Sequence, residues 1–97
     1  MRIDVSGKRL VLTDAITAHA EKKAEKILKH FDGVTQIAVV LDQDSASEFS
    51  VETLAHVVKH DPFVATATGE DVYSAIDHSV DKVVRQVQEY KERLRDH

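Results

Sequence analysis

Apolar residues recur at spacings of three and four in two segments of the chain. This periodicity predicts a helix over about residues 14–30 and a longer one over about residues 70–94. The two apolar stripes consist of Ile16, Ala20, Ala24, Ile27, Leu28 and Phe31 in the first segment, and of Ile76, Val80, Val83, Val87, Tyr90 and Leu94 in the second.

Polar residues and a glycine indicate where these helices begin and end. Thr13 fits an N-cap, because its hydroxyl can accept from a free backbone N–H of the first turn. Gly33 fits the position just after the end of a helix, where a residue commonly takes the left-handed backbone conformation. Thr68 and Asp71 fit a capping box, with the carboxylate of Asp71 in the first turn of the second helix.

Outside the helices, alternation and runs of β-branched residues are typical of strands. Polar turns at 42–48 and 60–62 connect the last three strands, which predicts an antiparallel meander. The order is β-α-β-β-β-α, and the simplest packing is an α+β fold with both helices on one face of a four-stranded sheet. The predicted strands cover residues 2–6, 34–42, 49–59 and 63–68.

The composition limits the classes of function. The chain has 97 residues, so residues 1–97 are expected to form a single domain. Cysteine is absent, which excludes disulfides, thiol catalysis and zinc–cysteine sites. No signal peptide and no apolar run of the ~20 residues needed to cross a bilayer is evident, so we expect a cytoplasmic protein without a membrane partner.

The stretch GEDVYSAIDHSVDKVVRQ, at residues 69–86, concentrates groups that an acid/base site could use. Asp77 and Asp81 are one helical turn apart, but they lie on the flank of an amphipathic helix. Lys82 and Arg85 are near enough in sequence to pair with them. Acid/base catalysis needs burial or coupling that shifts a carboxylate pKa, and the sequence indicates neither, so we expect that the protein is not an enzyme. A small hydrolase that uses Asp77 and Asp81 is kept as a third hypothesis.

Histidines are a possible source of metal ligands. His56 and His60 are four residues apart, but they fall on a predicted strand and turn, where that spacing does not converge on a metal. The sequence also has no glycine-rich loop that could hold a phosphate. We therefore expect no metal, no cofactor and no small-molecule substrate.

The net charge of −4 is unevenly distributed. Residues 32–70 carry seven acids against Lys59, for a net −6, whereas from residue 82 onward five bases face three acids. With both helices on one face of the sheet, their outer sides would form a surface with up to nine basic groups. Such a surface is typical either of ordinary solvation or of binding to a polyanion.

Several short motifs resemble those of one family. They are LTDAI (12–16), the lysines at 23 and 26, HFD (30–32), VVLD (39–42), the run Gly69, Asp71, Tyr73, AID (75–77), DK (81–82) and RQ (85–86), and the basic tail KERLRDH (91–97). In these motifs the chain resembles, nearly from end to end, the short ribosome hibernation promoting factors and the related ribosome-associated translation inhibitor.

The resemblance implies a fold similar to double-stranded-RNA-binding domains and a place on the small ribosomal subunit where mRNA and tRNAs sit. It implies that basic helix side chains contact ribosomal RNA phosphates, namely Lys22, Lys23, Lys26, Lys29, Lys82, Arg85, Lys91 and Arg93. It also implies inhibition of translation in idle ribosomes.

Two further expectations concern partners. Since the sequence ends at His97, we expect no C-terminal dimerisation domain, and ribosome pairing would need a separate ribosome-dimerising factor. The alternative function, motivated by the acidic middle segment, is a protein-interaction or regulatory module of the same fold that does not bind ribosomes.

Overall fold

A computed structural model describes residues 2–95 of the chain. The predicted β-α-β-β-β-α order is confirmed, and the bounds of the first helix agree with the apolar periodicity. The elements are β1 (Arg2–Lys8), α1 (Asp14–His30), β2 (Val34–Ser45), β3 (Glu48–Val57), β4 (His60–Gly69) and α2 (Val72–Arg95).

The four strands form one sheet in the order β1-β2-β3-β4. β1 is parallel to β2, whereas β3 and β4 continue as the predicted antiparallel meander. Because side chains alternate across a strand, every second residue of β2, β3 and β4 faces the helices. This inner face carries the buried residues Ile37, Val39, Leu41, Val51, Thr53, Ala55, Phe63, Ala65 and Ala67.

Both helices pack on the same face of the sheet, as predicted. α1 lies over β1 and β2, and α2 lies over β3 and β4 and against α1. Among the described residues 2–95, no helix or strand covers the opposite face of the sheet. Neither helix within residues 2–95 has the length and apolar character needed to cross a membrane.

The helix N-termini are capped by side chains. The Thr13 hydroxyl accepts from the backbone N–H of Ile16 at 3.1 Å, which confirms the predicted N-cap. The predicted capping box was wrong, because Thr68 belongs to β4 and Asp71 is itself the cap. Its carboxylate accepts from the backbone N–H of Tyr73 at 3.1 Å and from the Ser74 hydroxyl at 3.0 Å.

The end of α1 differs from the prediction. Its C-cap is Phe31, in an extended conformation, and Gly33 does not have the positive φ of a left-handed helix stop. A β-carbon on Gly33 would lie 2.4 Å from the Phe31 ring. The close approach of an aromatic ring, and not the backbone conformation, therefore favours glycine at position 33.

The hairpin turns are tighter than predicted. Ser45 pairs with Glu48, and Val57 pairs with His60, so each hairpin closes over two residues. The second turn lies at residues 58–59 instead of 60–62, and Lys59 takes the positive φ of 63° that the turn needs. The proline in HDP suggested a later turn, but Pro62 lies in edge strand β4, where a missing N–H is tolerated.

Candidate nucleic-acid interface

The two helices run side by side in the same direction. His19, early in α1, stacks edge-on against Tyr73, early in α2, with ring centroids 5.1 Å apart. Phe31, just after α1, meets Tyr90 near the end of α2 at 5.6 Å in the same geometry. The C-terminal thirds of both helices, where several predicted cations lie, therefore share one end of the molecule.

The seam between the helices contains a cluster of ion pairs. His19 Nε2 lies 2.7 Å from the Asp77 carboxylate. Lys23 Nζ lies 3.7 Å from Asp81 and 3.9 Å from Asp77, and only 17% of its side chain is exposed. Lys23 is thus the one predicted RNA contact that the fold itself largely covers and partly neutralises.

These contacts correct the predicted pairing within α2. Asp77 and Asp81 were expected to pair with Lys82 or Arg85 on the same helix, but their partners come from α1. The prediction was wrong because the acids lie on the flank of α2 that faces α1, where the cations of the other helix are nearer. Both carboxylates therefore connect α2 to α1 through ion pairs.

Lys23 and Lys26 affect each other. The positive charge of Lys23 lowers the pKa of Lys26, because a like charge nearby disfavours the charged form. The nearby carboxylates of Asp81 and Asp77 favour the charged form of Lys23. Lys26 is exposed to solvent. An anion bound beside it would stabilise its charged form, because an opposite charge favours the protonated amine.

Lys82 occupies a different side of α2. Its ammonium donates to the backbone carbonyl of Thr66 at 2.8 Å, and Gln86, one turn later, donates to the carbonyl of Val64 at 3.1 Å. β4 is an edge strand, so these side chains cover backbone acceptors that would otherwise be open to another chain. Lys82 therefore has a structural contact at the sheet edge, and its contact with RNA stays a prediction.

The remaining predicted contacts are solvent-exposed. In the part of the chain that the structure describes, none of them is within ion-pair distance of a carboxylate. This set of free cations consists of Lys22, Lys26, Lys29, Arg85, Lys91 and Arg93.

A cleft of about 540 Å³ lies between the C-terminal ends of the helices. Lys29 and Lys91 line it together with Arg95, which the sequence analysis did not include among the contacts. Arg95 could have been found from its spacing, since it follows Lys91 by four residues and so shares its face of the helix. The last residues of the basic tail, Asp96 and His97, lie outside the described residues.

Three strand carboxylates lie on the other side of the molecule. Asp4, Asp42 and Glu52 alternate with buried residues and so point from the uncovered face of the sheet. Arg9 holds Asp42 through two hydrogen bonds of 2.7 and 2.9 Å and also reaches Asp44 at 2.9 Å. This contact with Arg9 keeps the pKa of Asp42 below its usual value.

The histidines considered as metal ligands have other surroundings. The His60 ring stacks on Phe63 and meets Tyr90, both at 4.5 Å between centroids. His56 lies in β3 on the uncovered face of the sheet, whereas His60 is the first residue of β4, after the hairpin turn. Within residues 2–95 there is no group of three or more His, Cys, Asp or Glu side chains that could hold a metal ion.

Known proteins resemble this chain in sequence and in fold. Residues 3–95 match the family described as sigma 54 modulation protein / S30EA ribosomal protein. The ribosome hibernation promoting factor of Azotobacter vinelandii is 34% identical over 96% of this chain and 85% of its own length. The Escherichia coli K12 protein of that name is 32% identical over the whole of both chains.

Solved structures agree with the sequence comparison. The N-terminal domain of Protein Y from Thermus thermophilus superposes with a TM-score of 0.83 at 28% identity, over 93% of this chain and 99% of that one. A ribosomal subunit interface protein from Coxiella burnetii has the same fold, with a TM-score of 0.84 at 22% identity over 95% and 99% of the two chains. The resemblance found in the sequence motifs is therefore confirmed, and the chain belongs to the sigma 54 modulation protein / S30EA ribosomal protein family.

Proposed function

We propose that this protein is a ribosome hibernation factor that binds the small ribosomal subunit in the mRNA and tRNA channel and inhibits translation in idle cells. Its family and the names of its full-length relatives support this proposal. The observation that carries it is the set of free cations on the two parallel helices, on the side of the sheet opposite the strand carboxylates.

The mechanism is mutual exclusion. A folded domain held in the channel by phosphate contacts occupies space that mRNA and tRNA need. Each phosphate neutralised by a lysine or arginine releases bound counterions, so binding is electrostatic and sensitive to salt. The deep groove of an RNA helix is closed to side chains, so shape and backbone position, and not base identity, set the placement.

The separation of charge explains how a protein of net charge −4 can bind RNA. Several strand carboxylates point from the uncovered face of the sheet, and Asp42 and Asp44 are already paired with Arg9. RNA on the helix side is therefore farther from these carboxylates, and beyond about 10 Å salt screens their charge at ordinary ionic strength.

Charge reversal on the helix surface tests the proposal. Lys26→Glu/Arg85→Glu should lose co-sedimentation with small ribosomal subunits, because it turns two phosphate contacts into repulsive ones. The matched control, Arg2→Glu/Lys59→Glu, makes the same change in net charge outside the helices and should still co-sediment. Unchanged folding of both variants is checked by circular dichroism.

The outcomes separate the hypotheses. Co-sedimentation that both variants retain at moderate salt would refute the helix surface as the contact. A wild-type protein that fails to bind even at low salt would support the protein-interaction module instead. Lys82 has its own test: Lys82→Gln keeps a donor for the Thr66 carbonyl but loses the charge, so weaker binding by this variant would assign it a phosphate contact.

A further inference from the structure

We propose that the cleft between the C-terminal ends of α1 and α2 binds a single nucleotide, with the base against Phe31 and Leu94 and the phosphate among Lys29, Lys91 and Arg95. The RNA form of this inference rests on the proposed function, because an unpaired nucleotide of an RNA strand is one source of the ligand. A free nucleotide is the other source.

The floor of the cleft is apolar and partly open to solvent. Leu94 is 50% exposed, which is unusual for leucine on a helix whose other apolar residues are mostly covered. Phe31 is half-buried, and its position is fixed by Tyr90 on one side and by Gly33 beneath its ring. A fixed ring beside an exposed leucine offers a flat base a surface on which to pack.

The rim of the cleft is positively charged. Lys29 comes from the last turn of α1, and Lys91 and Arg95 come from the last turns of α2, so the parallel packing brings the three cations together. One carboxylate, Asp32, also lines the cleft, which leaves a net charge of +2 with His30 neutral. Cations beside an apolar or aromatic surface are the arrangement that proteins use for unpaired nucleotides.

A different role for these cations is to offset the negative ends of the two helix dipoles. That role needs no exposed apolar floor and has no preference for a base over a bare phosphate. The distinguishing property of a nucleotide site is therefore the contribution of the base.

Binding of ATP and of inorganic tripolyphosphate to the full chain, followed by two-dimensional NMR, separates these roles. ATP should shift the signals of residues 29–33 and 91–95 and bind roughly fivefold or more tightly than tripolyphosphate, since base stacking adds to the phosphate contacts. Leu94→Ala should remove most of that advantage, and Lys91→Gln should weaken both ligands. Val11→Ala, an apolar truncation at an exposed position just before the N-terminus of α1, should change neither.

A short single-stranded oligoadenylate identifies the source of the nucleotide. Oligoadenylate binding that depends on Leu94 and is tighter than ATP binding assigns the cleft to RNA. If ATP binds more tightly than the oligoadenylate, the cleft is assigned to free nucleotide. Equal binding of ATP and tripolyphosphate, or no effect of Leu94→Ala on either ligand, overturns the inference. Loss of ribosome co-sedimentation by Lys26→Glu/Arg85→Glu but not by Leu94→Ala would keep the proposed function and remove RNA as the source.

Discussion

At the residue scale, two glycines differ in what surrounds them. A β-carbon on Gly33 would meet the Phe31 ring at 2.4 Å, whereas one on Gly69 would have nothing within 4 Å. Neither residue has a positive φ, so both backbones accept alanine. Any difference in stability between the two alanine variants therefore measures the contact with the ring.

Gly33→Ala should lower the free energy of unfolding by about 1–3 kcal/mol, because the packed Phe31 ring has to move. Gly69→Ala should be neutral or stabilise by up to about 1 kcal/mol, since alanine restricts the unfolded chain. Urea denaturation of both variants measures the two values. Equal stabilities would show that the ring moves aside without cost.

A buried polar pair gives a second prediction at this scale. Thr53 and Ser79 are both fully buried, with their hydroxyl oxygens 2.8 Å apart, and Ser79 also donates to the carbonyl of Ala65 at 3.0 Å. Ser79 is thus the central member of a short hydrogen-bond chain that ties α2 to β3 and β4.

Ser79→Ala should cost about 1–3 kcal/mol of stability, because it leaves the Thr53 hydroxyl buried without a partner. Thr53→Val should cost less, since Ser79 keeps its bond to Ala65. The double variant should be less destabilised than the sum of the two single variants, and a double-mutant cycle by urea unfolding measures this coupling. Additive losses would mean that the two hydroxyls act independently.

At the element scale, Arg9 ties the segment after β1 to the end of β2. Its guanidinium donates two hydrogen bonds to the Asp42 carboxylate and one to the Asp44 carboxylate. The backbone of Arg9 has a positive φ of 50°. The pKa of Asp42 is held below its ordinary value by this contact with Arg9. Asp42 therefore stabilises the fold above its unfolded pKa, and that contribution is lost as pH falls through the lower folded pKa.

The carboxyl signal of Asp42 should titrate below the ordinary aspartate value of 3.8 in an NMR experiment. In Arg9→Gln the midpoint should rise toward that value, because the charged partner is gone. An Asp42 midpoint that is the same with and without Arg9 would contradict the assignment.

At the scale of the whole molecule, the helix layer and the sheet layer differ in charge, and carboxylates at the seam between the helices lower the positive charge of the helix layer. The two helices carry nine lysines and arginines against seven carboxylates, and the uncovered sheet face carries strand carboxylates. Two of the helix carboxylates, Asp77 and Asp81, lie at the seam. The seam acids reduce the positive charge that the helix layer presents, and they occupy Lys23 directly.

Asp81→Asn should strengthen co-sedimentation with small subunits by up to about fivefold, since a surface ion pair is worth up to about 1 kcal/mol and its loss frees Lys23. The variant should also withstand higher salt, because one more cation is available for phosphate. Asp61→Asn makes the same change in net charge in the β3–β4 hairpin and should have a smaller effect. Equal strengthening by both variants would show that only net charge matters.

The sequence by itself determined the elements, their order and the face that each one buries. A period near 3.6 or of 2 places apolar side chains on one side of a helix or strand, and local caps such as Thr13 fix the ends. Errors arose where a distant contact overrode a local signal. Gly33 was expected to stop α1 by its conformation, but the Phe31 ring is what favours glycine there.

Only the tertiary structure decided which charges stay free. Asp81 is next to Lys82 in sequence, yet it pairs with Lys23 on the other helix, and Lys82 turns to the carbonyl of Thr66. The spacing of charged residues along the chain does not predict which residue each one pairs with, because the pairing depends on which sides of two elements come into contact. For the same reason, only the parallel packing of the two helices brings Arg95 and Lys29 to the same cleft.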